Sequence, residues 1–78
     1  MVLEQDLVSG ATYVRLMDAE VARTVSVDDL ISVDVDARGD VVGIEFAFPI
    51  KDATAQNWQA VFTRFPDLKT VVPGELLA

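Results

Sequence analysis

Ile31-Ser32-Val33-Asp34-Val35-Asp36-Ala37-Arg38-Gly39-Asp40-Val41-Val42-Gly43-Ile44-Glu45-Phe46 is the stretch that decides the fold. Its apolar residues recur with period two, the signature of half-buried strands. Ile31, Val33 and Val35 alternate with Ser32, Asp34 and Asp36; Val42, Ile44, Phe46 and Phe48 alternate with Val41, Gly43, Glu45 and Ala47. Gly39 supplies the positive φ of a tight turn. A two-residue loop at Arg38-Gly39 pairs Val35 with Val42, Val33 with Ile44 and Ile31 with Phe46, all on one face. Slipping by one residue would put the apolar sets on opposite faces, so the register is strongly specified.

Working toward the N-terminus, Val21 to Val27 reads as a strand closed onto the hairpin by the turn residues Asp28-Asp29-Leu30. Arg23 falls on the same face as Val25 and Val27, which places it near a sheet end with its head group in water. Thr12 to Leu16 is another strand, and Val2 to Gln5 would make a fifth. After Pro49 the period changes. Ala55, Trp58, Val61, Phe62 and Phe65 form one apolar stripe at helical spacing. Asp52 or Thr54 can cap this helix, and Pro66 makes Phe65 its natural stop. The tail from Asp67 to Ala78 would add an edge strand or reach another subunit. The expected architecture is α+β: an antiparallel β-meander of four strands, or five, with one C-terminal helix on the apolar face. Residues 1–78 form a single domain.

Composition narrows the function. The chain has 78 residues, 13 acidic and 6 basic, and a net charge of −7. That sign opposes direct contact with nucleic-acid phosphates or anionic membranes. The acidity is concentrated between Leu16 and Phe46, where eight acids face two bases. Cysteine and histidine are both absent, which removes disulfides, thiolate and imidazole metal ligands, and the commonest general base. No apolar run approaches the ~18 residues of a membrane span. The start, Met1-Val2-Leu3-Glu4-Gln5-Asp6, lacks the basic and apolar regions of a signal peptide, so the cytoplasm is the expected address.

Asp34, Asp36, Gly39, Asp40 and Glu45 fall at positions 1, 3, 6, 7 and 12 of a calcium-binding EF-hand loop. Arg38 at position 5 puts a cation where an oxygen ligand belongs, and the flanks have strand rather than helix periodicity. No metal and no cofactor are therefore expected. The serines at 9, 26 and 32 have no histidine to activate them. Outward-facing Asp34 and Asp36 lie in no cleft that would suit them for acid–base work. No catalytic residue emerges, and no enzyme activity is expected.

Tyr13-Val14-Arg15-Leu16, Val21-Ala22-Arg23-Thr24-Val25, Val27-Asp28-Asp29, Val33-Asp34-Val35-Asp36, Gly39 and Val41-Val42-Gly43-Ile44-Glu45-Phe46 follow one another in an order with a family character. The chain resembles a small bacterial domain-of-unknown-function family, number 2283. That family shares tyrosine-x-arginine-leucine, alanine-arginine-threonine, aspartate-x-aspartate and glycine-isoleucine-glutamate elements. The resemblance spans about Asp6 to Phe48 and implies a compact antiparallel β-meander. The chain departs from the family in having Leu7-Val8-Ser9-Gly10 where an acidic stretch usually precedes the tyrosine, and in its longer helix and tail. Family members are often encoded beside small toxins of the ribonuclease type. The resemblance therefore implies an antitoxin-like, protein-binding role without enzyme activity.

Two expectations about partners follow. Asp34, Asp36, Asp40 and Glu45 form an acidic face for a basic protein, and replacing Asp34 and Asp36 with asparagine should slow association at nearly unchanged stability. Alternatively, the chain is a self-assembling structural module with no other target. One helix covers only part of a sheet face, and small domains without staples often need a partner subunit. On that reading Val71, Val72, Leu76 and Leu77 are homo-oligomer interface material, and Trp58 lies on the inward face of the helix.

Overall fold

The computed structural model describes residues 1–76. Five strands, β1 (Val2–Gln5), β2 (Thr12–Arg15), β3 (Arg23–Asp28), β4 (Ile31–Val35) and β5 (Val41–Phe46), precede one helix, α1 (Ala55–Arg64). Short 3-10 turns follow at Pro66–Thr70 and Gly74–Leu76. The sheet order is β1-β2-β5-β4-β3, and every neighbouring pair is antiparallel. The α+β class and the meander-like sheet with a C-terminal helix are as expected, and Val2–Gln5 does add a fifth strand. β3, β4 and β5 run as consecutive hairpins, while the β1–β2 hairpin joins the far side of β5. The link between β2 and β3 traverses the end of the sheet. Its Leu16 and Met17 N–H groups donate to the Val42 carbonyl, and its Ala22 N–H donates to the Val35 carbonyl.

The central hairpin keeps most of the expected register: Ile31 faces Phe46 and Val33 faces Ile44. Val35, however, meets Val41 and not Val42. The loop is one residue longer than a two-residue turn allows. Gly39 N–H donates to Asp36 O, Asp36 N–H donates to Asp40 O, and Gly39 adopts φ +89°. This is the three-residue loop whose last position needs a left-handed residue. The Asp36 carboxylate holds it by accepting from the Arg38 and Asp40 N–H groups. The register then recovers through a bulge, which sets two residues of one strand against one of its neighbour. As a result Val41 packs against the core, while Val42 is fully buried but lies outside the core cluster.

The inner face of the sheet carries Val14, Ile31, Val33, Val35, Ile44 and Phe46, none more than 2 % exposed. Trp58, Val61 and Phe62 of α1 cover it, and Phe46 meets Trp58 edge-on at 5.1 Å between ring centroids. Trp58 faces inward as expected, at 3 % exposure, and its indole N–H finds no acceptor among the described residues. The Thr54 hydroxyl accepts from Asn57 N–H while the Asn57 side chain accepts from Thr54 N–H, a reciprocal cap that fixes the start of α1. Arg23 opens β3 and is exposed at the sheet end, as its sequence position required.

Among the described residues the tail adds no edge strand. Pro66 starts a 3-10 turn that brings Leu68 into the core, and Val72 follows it there. Helix and tail together cover the inner face, so one chain shields what the helix alone would leave bare. No helix among the described residues is long and apolar enough to cross a membrane.

Candidate functional site

The opposite, outer face of the sheet holds a polar belt built from side chains far apart in sequence. Val2, Arg15, Gly43, Asp34 and Thr24 lie in register across all five strands, and Glu4, Tyr13, Glu45, Ser32 and Ser26 form the neighbouring row. Strand alternation puts both rows on one face. Gly43 leaves a gap in the first row, and the Tyr13 ring lies diagonally across it. The Tyr13 hydroxyl thereby donates to Asp34 Oδ2 at 2.9 Å, while the Thr24 hydroxyl donates to Asp34 Oδ1 at 2.6 Å. On the other side of Tyr13, the Arg15 guanidinium stands 5.2 Å from the ring centroid and pairs with Glu4 at 2.6 Å. A glycine in the middle of a central strand often marks such a close approach.

The electrostatics of the belt follow from these contacts. Burial pushes the Tyr13 phenol up to about 12, and the Asp34 carboxylate that accepts its hydrogen adds to the effect. The Arg15 guanidinium hydrogen-bonded to Glu4 holds that carboxyl below its ordinary range. Asp6, at the β1–β2 turn, is lowered by accepting from the Val8 and Ser9 N–H groups. Tyr13 therefore acts as a hydrogen-bond donor throughout the physiological range and offers no phenolate base or nucleophile. Its titration is a test. Below the unfolded phenol's pKa, near 10, both states are protonated and the stabilisation is complete. As pH rises from about 10 to 12 the unfolded state deprotonates first, and stability falls. Tyr13 is partly solvated, so screening reduces the expected loss to about 1 kcal/mol. Alkaline absorbance should give the raised pKa, and chemical denaturation at pH 9 and 11 the loss.

The four acids singled out by sequence do not act as one face. Asp34 is half-buried with both oxygens engaged in the belt, and Asp36 is folded into the hairpin loop. Asp40, at the hairpin end, and Glu45, on the outer face beside Tyr13, are exposed. Among the described residues no three carboxylates are gathered to hold a metal ion. Of the tail residues, Val71 is 55 % exposed, whereas Val72 is 5 % exposed and Leu76 packs against the chain's own core. Leu77 lies outside the described residues. Exposed apolar surface instead gathers at the other end of the chain: Val2 and Leu3 on β1, and Leu7 and Val8 at the turn after it.

Charge and hydropathy singled out Asp34 but not Tyr13, Arg15, Thr24 or Gly43, which complete its surroundings. These residues coincide with the motif elements quoted above: tyrosine-x-arginine, the threonine after alanine-arginine, the first aspartate of aspartate-x-aspartate, and the glycine before isoleucine-glutamate. A family model described as Protein of unknown function (DUF2283) matches residues 9–47, half of the chain, and the chain belongs to that family. The match contains every member of the belt except Glu4 and Val2. No curated protein and no solved structure matches the chain.

Proposed function

We propose that this chain is a non-enzymatic protein-interaction module, an antitoxin-like acidic partner of a small basic protein. One observation carries the reading: Glu45 on the outer face and Asp40 at the hairpin end are exposed carboxylates engaged in no side-chain hydrogen bond or ion pair among the described residues, whereas Asp34 and Glu4 of the belt are held by Tyr13, Thr24 and Arg15. The belt holds the surface rigid, and these two acids are available to a cationic partner. The family context and the net charge of −7 support the same role. Electrostatics of this kind speed encounter and fade with salt.

Asp34 and Asp36 are unsuited to testing it, because each is a hydrogen-bond acceptor for its surroundings and its replacement would disturb the fold. The informative variant is Asp40→Asn with Glu45→Gln. Once a basic partner is recovered from native cells, this variant should associate at least about threefold more slowly at low salt, with an unchanged melting temperature. An association rate indifferent to both salt and these substitutions would reduce the acidity to a solubility device. A second reading, self-assembly into a homo-oligomer, is favoured by the exposure of Leu7 and Val8, at 94 % and 98 %. Contiguous exposed apolar surface commonly marks an interaction site.

A further inference from the structure

We infer that the open edge of β1 is the surface on which a second copy of this chain docks, strand against strand, an inference that rests on the self-assembly reading. Asp6 N–H donates to Ala11 O at 2.9 Å, which makes that pair a hydrogen-bonded one. Alternation along an antiparallel ladder then makes Glu4–Tyr13 and Val2–Arg15 the bonded pairs, and turns the N–H and C=O groups of Leu3 and Gln5 toward the free edge. Proteins usually guard such an edge with charge, proline or a bulge. β3, the opposite edge, is guarded. It begins at Arg23, breaks register between Ser26 and Asp28, and has Arg64 of α1 donating to the Ser26 carbonyl at 3.4 Å. β1 has no bulge, no proline and no lysine, and its one charge, Glu4, is neutralised by Arg15.

The occupant follows from self-complementarity. A basic strand would find no unpaired carboxylate along Val2–Gln5 to select it. A second copy of β1, antiparallel about a two-fold axis at Leu3, sets Leu3 against its own counterpart, Gln5 against Met1, and Glu4 against Val2. The two Glu4 carboxylates are thereby kept off one another, as cross-strand pairing prefers. β1 ends at Gln5, opposite the other copy's Met1 in this register, and Leu7 stands in the turn just beyond that end. Met1 there lines an open groove of about 510 Å³ whose wall is mainly apolar, with Leu16, Met17, Phe65 and Leu68, and which also carries Asp40, Arg64 and Asp67. The almost fully exposed Leu7 and Val8 thus have a receptor of matching chemistry on the same molecule, an isologous arrangement of the kind two-fold dimers use.

Three measurements on the full chain decide it. Sedimentation of the wild type at tens of micromolar should give twice the mass of one chain. Leu3→Lys, at an exposed side chain, should weaken association at least about tenfold without altering the circular dichroism spectrum. Leu3→Cys should oxidise to a covalent dimer, since directly opposed Cα atoms about 5.5 Å apart suit a disulfide, whereas Leu30→Cys in the β3–β4 turn should not. A monomeric wild type would overturn both the edge assignment and self-assembly. An oligomer that survives Leu3→Lys, or cross-links at Leu30→Cys and not at Leu3→Cys, would overturn the β1 edge while leaving self-assembly in place.

Discussion

Phe46→Ala is expected to cost about 3–5 kcal/mol, the range for removing a buried aromatic ring from a packed core. Phe46 has no exposed surface. It faces Ile31 across one strand pair and Thr12 across the other, and its ring meets Phe48 at 5.5 Å and Trp58 at 5.1 Å between centroids. It therefore joins three strands to the helix from the end of the central strand. A domain of 78 residues has a total stability of only about 4–12 kcal/mol, so this one substitution removes a large share. The melting temperature should fall by roughly 12–40 °C. Denaturant curves should shift their midpoint at an unchanged slope, since the surface exposed on unfolding stays similar. Trp58 emission should move to longer wavelength as water reaches the vacated space. A loss below about 1.5 kcal/mol, the size of a well-tolerated core exchange, would show that this ring is not the junction described.

The period-two alternation that places Phe46 in the core was readable directly, as was the helical stripe of Trp58, Val61 and Phe62 opposite it. Both are local patterns set by which residues escape water, and the Thr54 cap is local too. Where local pattern is silent, the outcome is decided by contacts between distant segments. Val41-Val42 are two adjacent apolar residues of equal size, and alternation alone cannot say which faces inward. A loop one residue longer, held by the Asp36 carboxylate, decides for Val41. Val71-Val72 have strand composition, yet Pro66 and Pro73 bracket them, and burying Leu68 and Val72 on α1 and the sheet outweighs their β propensity. The pairing of β2 with β5, rather than with its sequence neighbour β3, is a choice between two antiparallel partners that no stretch of a few residues encodes. The candidate site had the same fate. Asp34 was conspicuous as a charge, but Tyr13 and Thr24 come to it from 21 and 10 residues away, and only the β2–β5–β4–β3 order brings them together.

Gly43→Ala is the substitution that should dismantle this assembly while leaving the core whole. A Cβ at residue 43 would fall 2.6 Å from Tyr13 Cε2 and closer still to Cζ and Oη, well inside the about 3.5–4.0 Å of carbon contact. Either the strand or the ring must move. β5 is paired on both sides, so its backbone is stiff, whereas the Tyr13 ring lies on the outer face with solvent beyond it. The ring should swing away and lose its hydrogen bond to Asp34. A hydrogen bond to a charged group contributes about 1.5–3 kcal/mol, and the lower unfolded-state entropy of alanine offsets about 0.4–1 of that. The net cost should be about 1–2 kcal/mol. The more telling signal is chemical: the phenol pKa should fall from about 12 toward the ordinary 10. Tyr13 is the chain's single tyrosine, so alkaline absorbance reads it without interference. In a Tyr13→Ala background the three atoms nearest the new methyl group are gone, and Gly43→Ala should then be neutral or mildly stabilising. The double-mutant cycle should give a coupling of at least about 1 kcal/mol. If the phenol of the Gly43→Ala protein still titrated near 12, the ring would not be held in place by the absence of a side chain at residue 43. If the two substitutions proved additive, the contact across β5 would carry no energy.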